Sequence, residues 1–378
     1  MTQPTRPTNA EHPVALGSFR SWMRLLRSAK DIDRAFLLRA AFVTCTTLLT
    51  APLRAWEHLR HGNAVRRTAI HPSPVFIVGH WRSGTTHLQN LLCQDENLGS
   101  LTTFQALAPG FCLIGNGWIK RSIARFTAAH YPTRLIDGIP LDMDAPQEDE
   151  FGLANLSEHS FIHTFSFPRQ ADEIFERSVL LEGLTPHERT RWVEAYVSLL
   201  RKATFATGGR RQLIKNCAHS ARIPLLLERF PEAKFIHIHR NPYKVFLSTL
   251  HMLNTVFLRS QLQHVDPERL EAFVLRSYVR LLERFLTDRA QIPEGNYTEL
   301  RFDDLQASPI AELRRIYREL DLPGFAEAEP RIHAYLDSVA GYKKNVYDFA
   351  DDVIRKVNKH WSFAFEALAY ERLEPSTG

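Results

Sequence analysis

The feature that most constrains the fold is an apolar run that ends in a glycine and turns at once into a helix. Val75-Phe76-Ile77-Val78 is rich in β-branched residues, follows His71-Pro72-Ser73-Pro74 and stops at Gly79. A short, continuously apolar run bounded by turn residues reads as a strand of a parallel sheet, buried on both faces. After the loop Gly79-His80-Trp81-Arg82-Ser83-Gly84-Thr85-Thr86, the segment THLQNLLCQ has helical spacing. Backbone N–H groups and the positive end of such a helix converge on one point, where an anion gains roughly 0.3 to 1 kcal/mol from the dipole alone. Arg82 adds a full positive charge, and Ser83, Thr85 and Thr86 add hydroxyl donors.

A second unit of the same kind follows. Lys234 to His239 (KFIHIH) is preceded by RFPEA, and Asn241-Pro242 then supplies an N-cap and a proline for the first helical position. Two strand-to-helix units predict an α/β fold: a P-loop-like parallel sheet flanked by helices, with an N-terminal helical extension. Tyr297 to Phe302 (YTELRF) is a further short strand, and the rest of 255–320 reads as amphipathic helix. The expected layout is a disordered polar tail over 1–16, the helical extension over 17–68 and the main domain over 69–370. The uncharged stretch Ala40 to Leu53 is shorter than the roughly 20 residues of a membrane span and reads as a packed helix. FRSWMRLLRSAK, from Phe19, separates apolar from basic residues; it fits an anionic membrane surface, but packing on its own domain is the expectation.

Charge and cysteine usage exclude several classes. The net charge of +5 is not gathered into a run of Lys and Arg, which argues against nucleic-acid binding and suits a cleft for an anionic small molecule. The four cysteines form no CxxC pair or zinc spacing, so no disulfide framework or metal is expected. With no signal-peptide pattern at the N-terminus, the expected location is cytoplasmic.

The loop matches GxxxxGK[ST] except that Thr85 stands where the lysine belongs. A nucleoside triphosphate needs that lysine together with magnesium to neutralise its β,γ charge. A donor carrying one phosphate at this point does not. VFIVGHWRSGTTHLQNLL resembles the 5′-phosphosulfate loop of sulfotransferases that use the sulfonate donor PAPS, in the broad group whose loop reads RSGTT. The resemblance covers roughly residues 65 to 370. It implies that Arg82, Ser83, Gly84, Thr85 and Thr86 hold the donor's 5′-phosphate and that the product is PAP, with no metal required. It also implies a second motif for the 3′-phosphate, an arginine at a strand end with a serine eight residues on, matched by Arg240 and Ser248 in HRNPYKVFLST.

Sulfonate transfer needs a base for the acceptor's proton and a cation for the charge that grows on the leaving oxygen. The run Asp144-Ala145-Pro146-Gln147-Glu148-Asp149-Glu150 reads either as an acidic helix start or as a source of the base. It resembles the family's DxPxEDE segment, which implies Glu148, Asp149 or Glu150 as base, with the two glutamates ahead. Some relatives place a glutamate where this chain has Gln105, which cannot accept the proton. LIKNCAH resembles the family's LKSPxH segment and implies Lys215 at the leaving group and His219 as a second acid/base or acceptor ligand. Lys343, in Gly341-Tyr342-Lys343-Lys344-Asn345, matches loosely a basic segment over the nucleotide. His237 and His239 read as strand residues rather than metal ligands. The acceptor is expected to be a small molecule or lipid bearing a hydroxyl, or an amine; FIHTFSF and HMLNTVF favour an apolar one. The competing readings are an ATP-dependent P-loop kinase and a non-catalytic nucleotide-binding scaffold.

Overall fold

The computed structural model describes residues 12–130, 142–340 and 349–376; Lys343 lies outside them. The chain divides into two compact units that alternate along the sequence, one over residues 70–100, 210–251 and 268–378 and the other over 1–69, 101–209 and 252–267.

The first unit is built on a parallel sheet of five strands. These are β1 (Val75–Val78), β2 (Leu98–Gly99), β3 (Arg211–Lys215), β4 (Lys234–His239) and β5 (Tyr297–Arg301), in the order β2-β3-β1-β4-β5. The strands expected at 75–78, 234–239 and 297–301 are present; β2 and β3 carry too little apolar pattern to read as strands. β1 lies at the centre, and all four of its residues are buried, as its continuous apolar run requires. In register, Ile77 stands opposite Lys215 of β3 and Ile236 of β4, so β1 and β3 end within one residue of each other and β4 runs two residues further, to His239. One face packs Val75, Ile77, Ile236 and Ile238 against Leu88 and Leu92 of the helix Thr85–Leu92. On the other, Phe76 stacks on Phe235 at 5.4 Å and meets the edge of His219.

His237 and His239, which alternate with isoleucines on β4, are both buried against β5. His237 Nδ1 lies 3.1 Å and His239 Nε2 3.4 Å from the same Glu299 oxygen, while His239 Nδ1 meets the Tyr370 hydroxyl at 3.1 Å. Burial, and then the neighbouring His237, push His239 down to about 3. Burial by itself would raise Glu299, but the hydrogen bond from His237 and its charge hold that carboxylate at about 2.

The second unit is helical, and residues 17–68 cluster within it together with 101–209. The helix Ala51–Arg67 is tied to the helix Pro186–Ala206 by an ion pair, Lys202 Nζ to the buried Glu57 Oε1 at 2.5 Å. At the start of the described chain, His12 and Val14 are buried, and Asn155 Nδ2 donates to the Pro13 carbonyl at 3.0 Å. The helix Phe19–Ser28 packs on its own unit, with Trp22 and Leu25 buried and Trp22 Nε1 donating to Thr44 Oγ1 at 2.9 Å. The stretch Ala40 to Leu53 is only half packed. Ala40, Val43 and Thr47 are buried, while Leu48 and Leu49 face solvent.

Four histidines are held neutral: burial lowers His12 and His239 to about 3 and His163 to about 4, and His80, half-buried, is lowered to about 4 as well. Each takes up a proton near 6.5 once the chain unfolds, so the stability they confer is complete above that pH and is lost as pH falls towards 4. Carboxylates such as Glu299 and Glu188, both held at about 2, start to weaken the fold only below 4.5. The melting temperature should therefore drop already between about pH 6.5 and pH 4.5, each buried histidine costing on the order of 1 to 2 kcal/mol by about pH 5. A melting temperature constant over that window, followed by scanning calorimetry, would contradict the assignment.

Candidate functional site

The loop between β1 and the helix Thr85–Leu92 is fixed by two glycines that admit no substitute. Gly79 has φ of 145°, and a Cβ there would stand 2.2 Å from the Ile238 carbonyl oxygen, so β1 and β4 can approach only over a bare backbone. Gly84, at φ 96°, opens the helix; its Cβ would fall 2.1 Å from the ring of Phe302. Between them Arg82 holds φ of 72°, a conformation that costs a side-chain-bearing residue about 1 to 2 kcal/mol. Such strain persists where the surroundings over-determine it, which singles the loop out as a working element. Ser220 clamps its start, accepting from Gly79 N at 2.9 Å and donating to the Gly79 carbonyl at 3.3 Å.

The two anion motifs meet here. Arg82 Nε donates to Ser248 Oγ at 2.9 Å, and Arg240 Nη1 donates to the Arg82 carbonyl at 3.4 Å. Asn241 caps the helix Pro242–Ser260, its Oδ1 accepting from Tyr243 N at 3.1 Å, which sets Ser248 about two turns inside. The sequence spacing thus brings Arg82, Arg240 and Ser248 together at the carboxyl edge of β1 and β4, where ligands of open α/β sheets bind. Ser83 and Thr85 are buried within the loop, with Thr85 Oγ1 3.7 Å from Cys217 Sγ, and Gly84 and Thr86 open the helix. Phe302 was not singled out from the sequence, although it is the last residue of the strand-like YTELRF. Its ring fills the space under Gly84 and carries the Arg240 guanidinium at 4.8 Å from the ring centre, a cation–π contact.

β3 brings Lys215 to the same edge. Asn216 N extends the ladder by donating to the Ile77 carbonyl at 3.2 Å, and Asn216 Oδ1 caps the turn Cys217–Ala221 through Ala218 N at 2.9 Å. His219 follows in that turn, fully buried, with its Nδ1 3.3 Å from Arg222 Nη1. Since a guanidinium can only donate, Nδ1 accepts and the ring proton of neutral His219 sits on Nε2. Arg222 carried no signal in the sequence, yet it sets the His219 tautomer in this arrangement.

The acidic run belongs to the helical unit. Glu148 is the N-cap position of the helix Asp149–Ala154, and Glu148, Asp149 and Glu150 are all buried. Their environments differ. Glu150 Oε1 accepts from Ser160 Oγ and from Phe161 N, both at 2.8 Å, and so anchors the turn that follows. Gln105 has a structural role: it closes a capping box with Thr102 at the start of the helix Thr103–Leu107.

A sequence profile described as the sulfotransferase family matches residues 74–327. The chain is 33% identical over 367 residues to the omega-hydroxy-beta-dihydromenaquinone-9 sulfotransferase Stf3 of Mycobacterium bovis, covering 96% of this chain and 92% of that protein, and equally to its Mycobacterium tuberculosis counterpart. Among solved structures, sulfotransferase STF9 of Mycobacterium avium superposes with a TM-score of 0.70 at 19% identity, over 94% of this chain and 93% of that one. Sulfotransferase STF1 of Mycobacterium tuberculosis does so with a TM-score of 0.66 at 20% identity, over 89% and 91%.

The two donors on Glu150 define a structural test. Glu150→Ala should destabilise the fold by about 2 to 4 kcal/mol in denaturant titration, because the Phe161 N–H and Ser160 hydroxyl lose a charged acceptor in a buried turn. A change below about 0.5 kcal/mol, the scatter of surface substitutions, would show that the carboxylate is not holding that turn.

Proposed function

The chain belongs to the sulfotransferase family, and from that premise we propose that it transfers the sulfonate of PAPS to the hydroxyl of an apolar, lipid-like acceptor. The observation that carries the donor assignment is the meeting of Arg82, Arg240 and Ser248 beside a glycine-opened helix N-terminus. The residues fit a 3′,5′-bisphosphorylated nucleotide: the loop N–H groups with Ser83, Thr85 and Thr86 suit the 5′-phosphate, and Arg240 with Ser248 suits the 3′-phosphate. When bound, PAPS supplies the sulfonate and a phosphate leaving group. A kinase reading is disfavoured by Thr85, which offers no charge to a β,γ-phosphate pair.

Lys215, one strand over from the loop, stabilises the negative charge that develops on the oxygen between phosphate and sulfonate; preorganised cations of this kind are a large term in group transfer. His219, with its Nε2 proton, donates to an oxygen of the acceptor or of the transferring group. Glu148 takes the acceptor's proton, a role that follows from the DAPQEDE resemblance and from Glu150 being committed elsewhere. Arg82, bonded to Ser248 while belonging to the 5′ loop, couples the two phosphate sites. The acceptor class is suggested by the relative named for omega-hydroxy-beta-dihydromenaquinone-9; a terminal hydroxyl on a menaquinone-like isoprenoid lipid is the reading we favour.

Two measurements test these roles. Arg240→Ala should weaken PAP binding by about 1.5 to 3 kcal/mol in titration calorimetry, the loss of a charged hydrogen bond; unchanged affinity would remove the two-phosphate argument. With sulfur-labelled PAPS and an organic extract of cell lipids, the wild type should yield a labelled product that partitions with lipids. Glu148→Gln should lower that yield at least about 100-fold with PAP affinity intact. Label appearing only in water-soluble or protein products would refute the lipid acceptor, and full turnover by Glu148→Gln would place the base elsewhere.

A further inference from the structure

Within the helical unit one stretch is amphipathic in the inverted sense. The helices Leu37–Leu49 and Ala51–Arg67 follow each other with only Thr50 between them, itself at near-helical φ and ψ of −85° and −1°. Three of their charged residues, Arg39, Arg54 and Glu57, turn towards the protein. Arg39 is buried and donates to the Gln261 carbonyl at 2.8 Å. Glu57 is buried, paired with Lys202, and accepts from Leu113 N and Ile114 N. Arg54 is half-buried and donates to Thr50 Oγ1 at 2.7 Å. The outward face instead carries Leu38, Leu48, Leu49, Trp56 and Leu59, with exposures of 72, 55, 76, 53 and 81%. From Ala35 to Trp56 no exposed residue is charged. At about 1.5 Å per residue, this stripe runs about 30 Å from Leu38 to Leu59.

Charge gathers where the stripe ends. Arg34 is exposed at one end and Arg60, Arg66 and Arg67 at the other. The acidic neighbours of Arg34, Asp31 and Asp33, are both ion-paired to Arg169. The adjoining helix Trp118–His130, whose Ile119 and Ile123 share a core cluster with Leu53, exposes Trp118 and Phe126 among Arg121 and Arg125.

We propose that this stripe is a docking face for a bilayer with anionic head groups, on which the helical pair lies in the plane of the interface. Length and composition alone would let Arg34–Arg67 cross a membrane. Spanning would require stripping Arg39, Arg54 and Glu57 from their hydrogen bonds, whereas lying flat buries only the leucines and Trp56 and leaves the inward face seated. A second copy of the chain is a poorer occupant. A two-fold antiparallel pairing of the stripes would set Arg34 of one chain against Arg60, Arg66 and Arg67 of the other, like charge against like. A surface of anionic head groups satisfies the arginines at both ends and the apolar stripe between them. The inference adds to the lipid-acceptor reading a place where the protein meets its substrate's solvent, but its geometry does not depend on the nucleotide site.

Flotation of the full chain with vesicles tests it, using phosphatidylcholine alone and phosphatidylcholine mixed with phosphatidylglycerol. The wild type should float with the mixed vesicles, less so at high salt and much less with phosphatidylcholine alone. Leu49→Glu/Leu59→Glu, both at exposed positions, should bind at least about tenfold more weakly. Arg60→Glu/Arg66→Glu should lose the preference for phosphatidylglycerol. Circular dichroism melts and PAP calorimetry on each variant keep folding and the nucleotide site separate from docking: unchanged melts and PAP affinity with lost flotation support the proposal. Wild-type protein that stays in the aqueous fraction overturns it. A wild-type dimer in light scattering that Leu49→Glu/Leu59→Glu converts to monomer, with no vesicle binding, overturns it in favour of a contact between copies.

Discussion

The placement of the site depends on the parallel ladder that sets β1 between β3 and β4. Ile77 opposite both Lys215 and Ile236 fixes where each following loop begins. A shift of one residue in either pairing would turn alternate side chains to the opposite face of the sheet. The glycine at 79 makes the close pairing possible, since the Ile238 carbonyl occupies the space a Cβ would need. The Gly79–Thr86 loop, Lys215 and Arg240 thus reach one edge through backbone hydrogen bonds.

On that edge, side chains settle which chemistry is served. Thr85 in the lysine position removes the charge that a triphosphate requires, and in the proposed reading the distant Arg240 and Ser248 take a second phosphate instead. Phe302 supports both, filling the space beneath Gly84 and carrying Arg240 on its ring. His219 illustrates how a partner assigns a role. A histidine can carry its ring proton on either nitrogen, and the Arg222 guanidinium beside Nδ1 places that proton on Nε2 in the neutral ring. In the helical unit the same reasoning separates two neighbouring glutamates, since Glu150 is held by two donors on one oxygen.

The inverted helix pair explains why hydropathy read along the chain misjudged its own segment. Ala40 to Leu53 is apolar enough to suggest burial, yet only Ala40, Val43 and Thr47 of it are buried, and the buried face beside it also takes in Arg39 and Glu57 because the unit offers them a carbonyl, two N–H groups and Lys202. Once those polar residues are satisfied inside, the leucines are left outside. An apolar face kept outward over about 30 Å between basic ends is the arrangement of an interfacial helix.

The sequence by itself determined the α/β class, the β1, β4 and β5 strands and the nucleotide loop, because those signals are local: a continuous apolar run, a glycine at each turn, an Asn-Pro helix start. Through its resemblance to the sulfotransferase loop it also implied the donor class. What only the tertiary structure decided is whatever depends on residues far apart in the chain. That includes the joining of residues 12–69 to 101–209, the short strand β3 whose pairing partner supplies its stability, and the contact of Arg82 with Ser248, 166 residues away. It includes the clamp of Ser220 on Gly79 and the outward turn of Leu49 and Leu59. A residue's identity limits the bonds it can make; which bond it makes depends on neighbours that the linear sequence does not reveal.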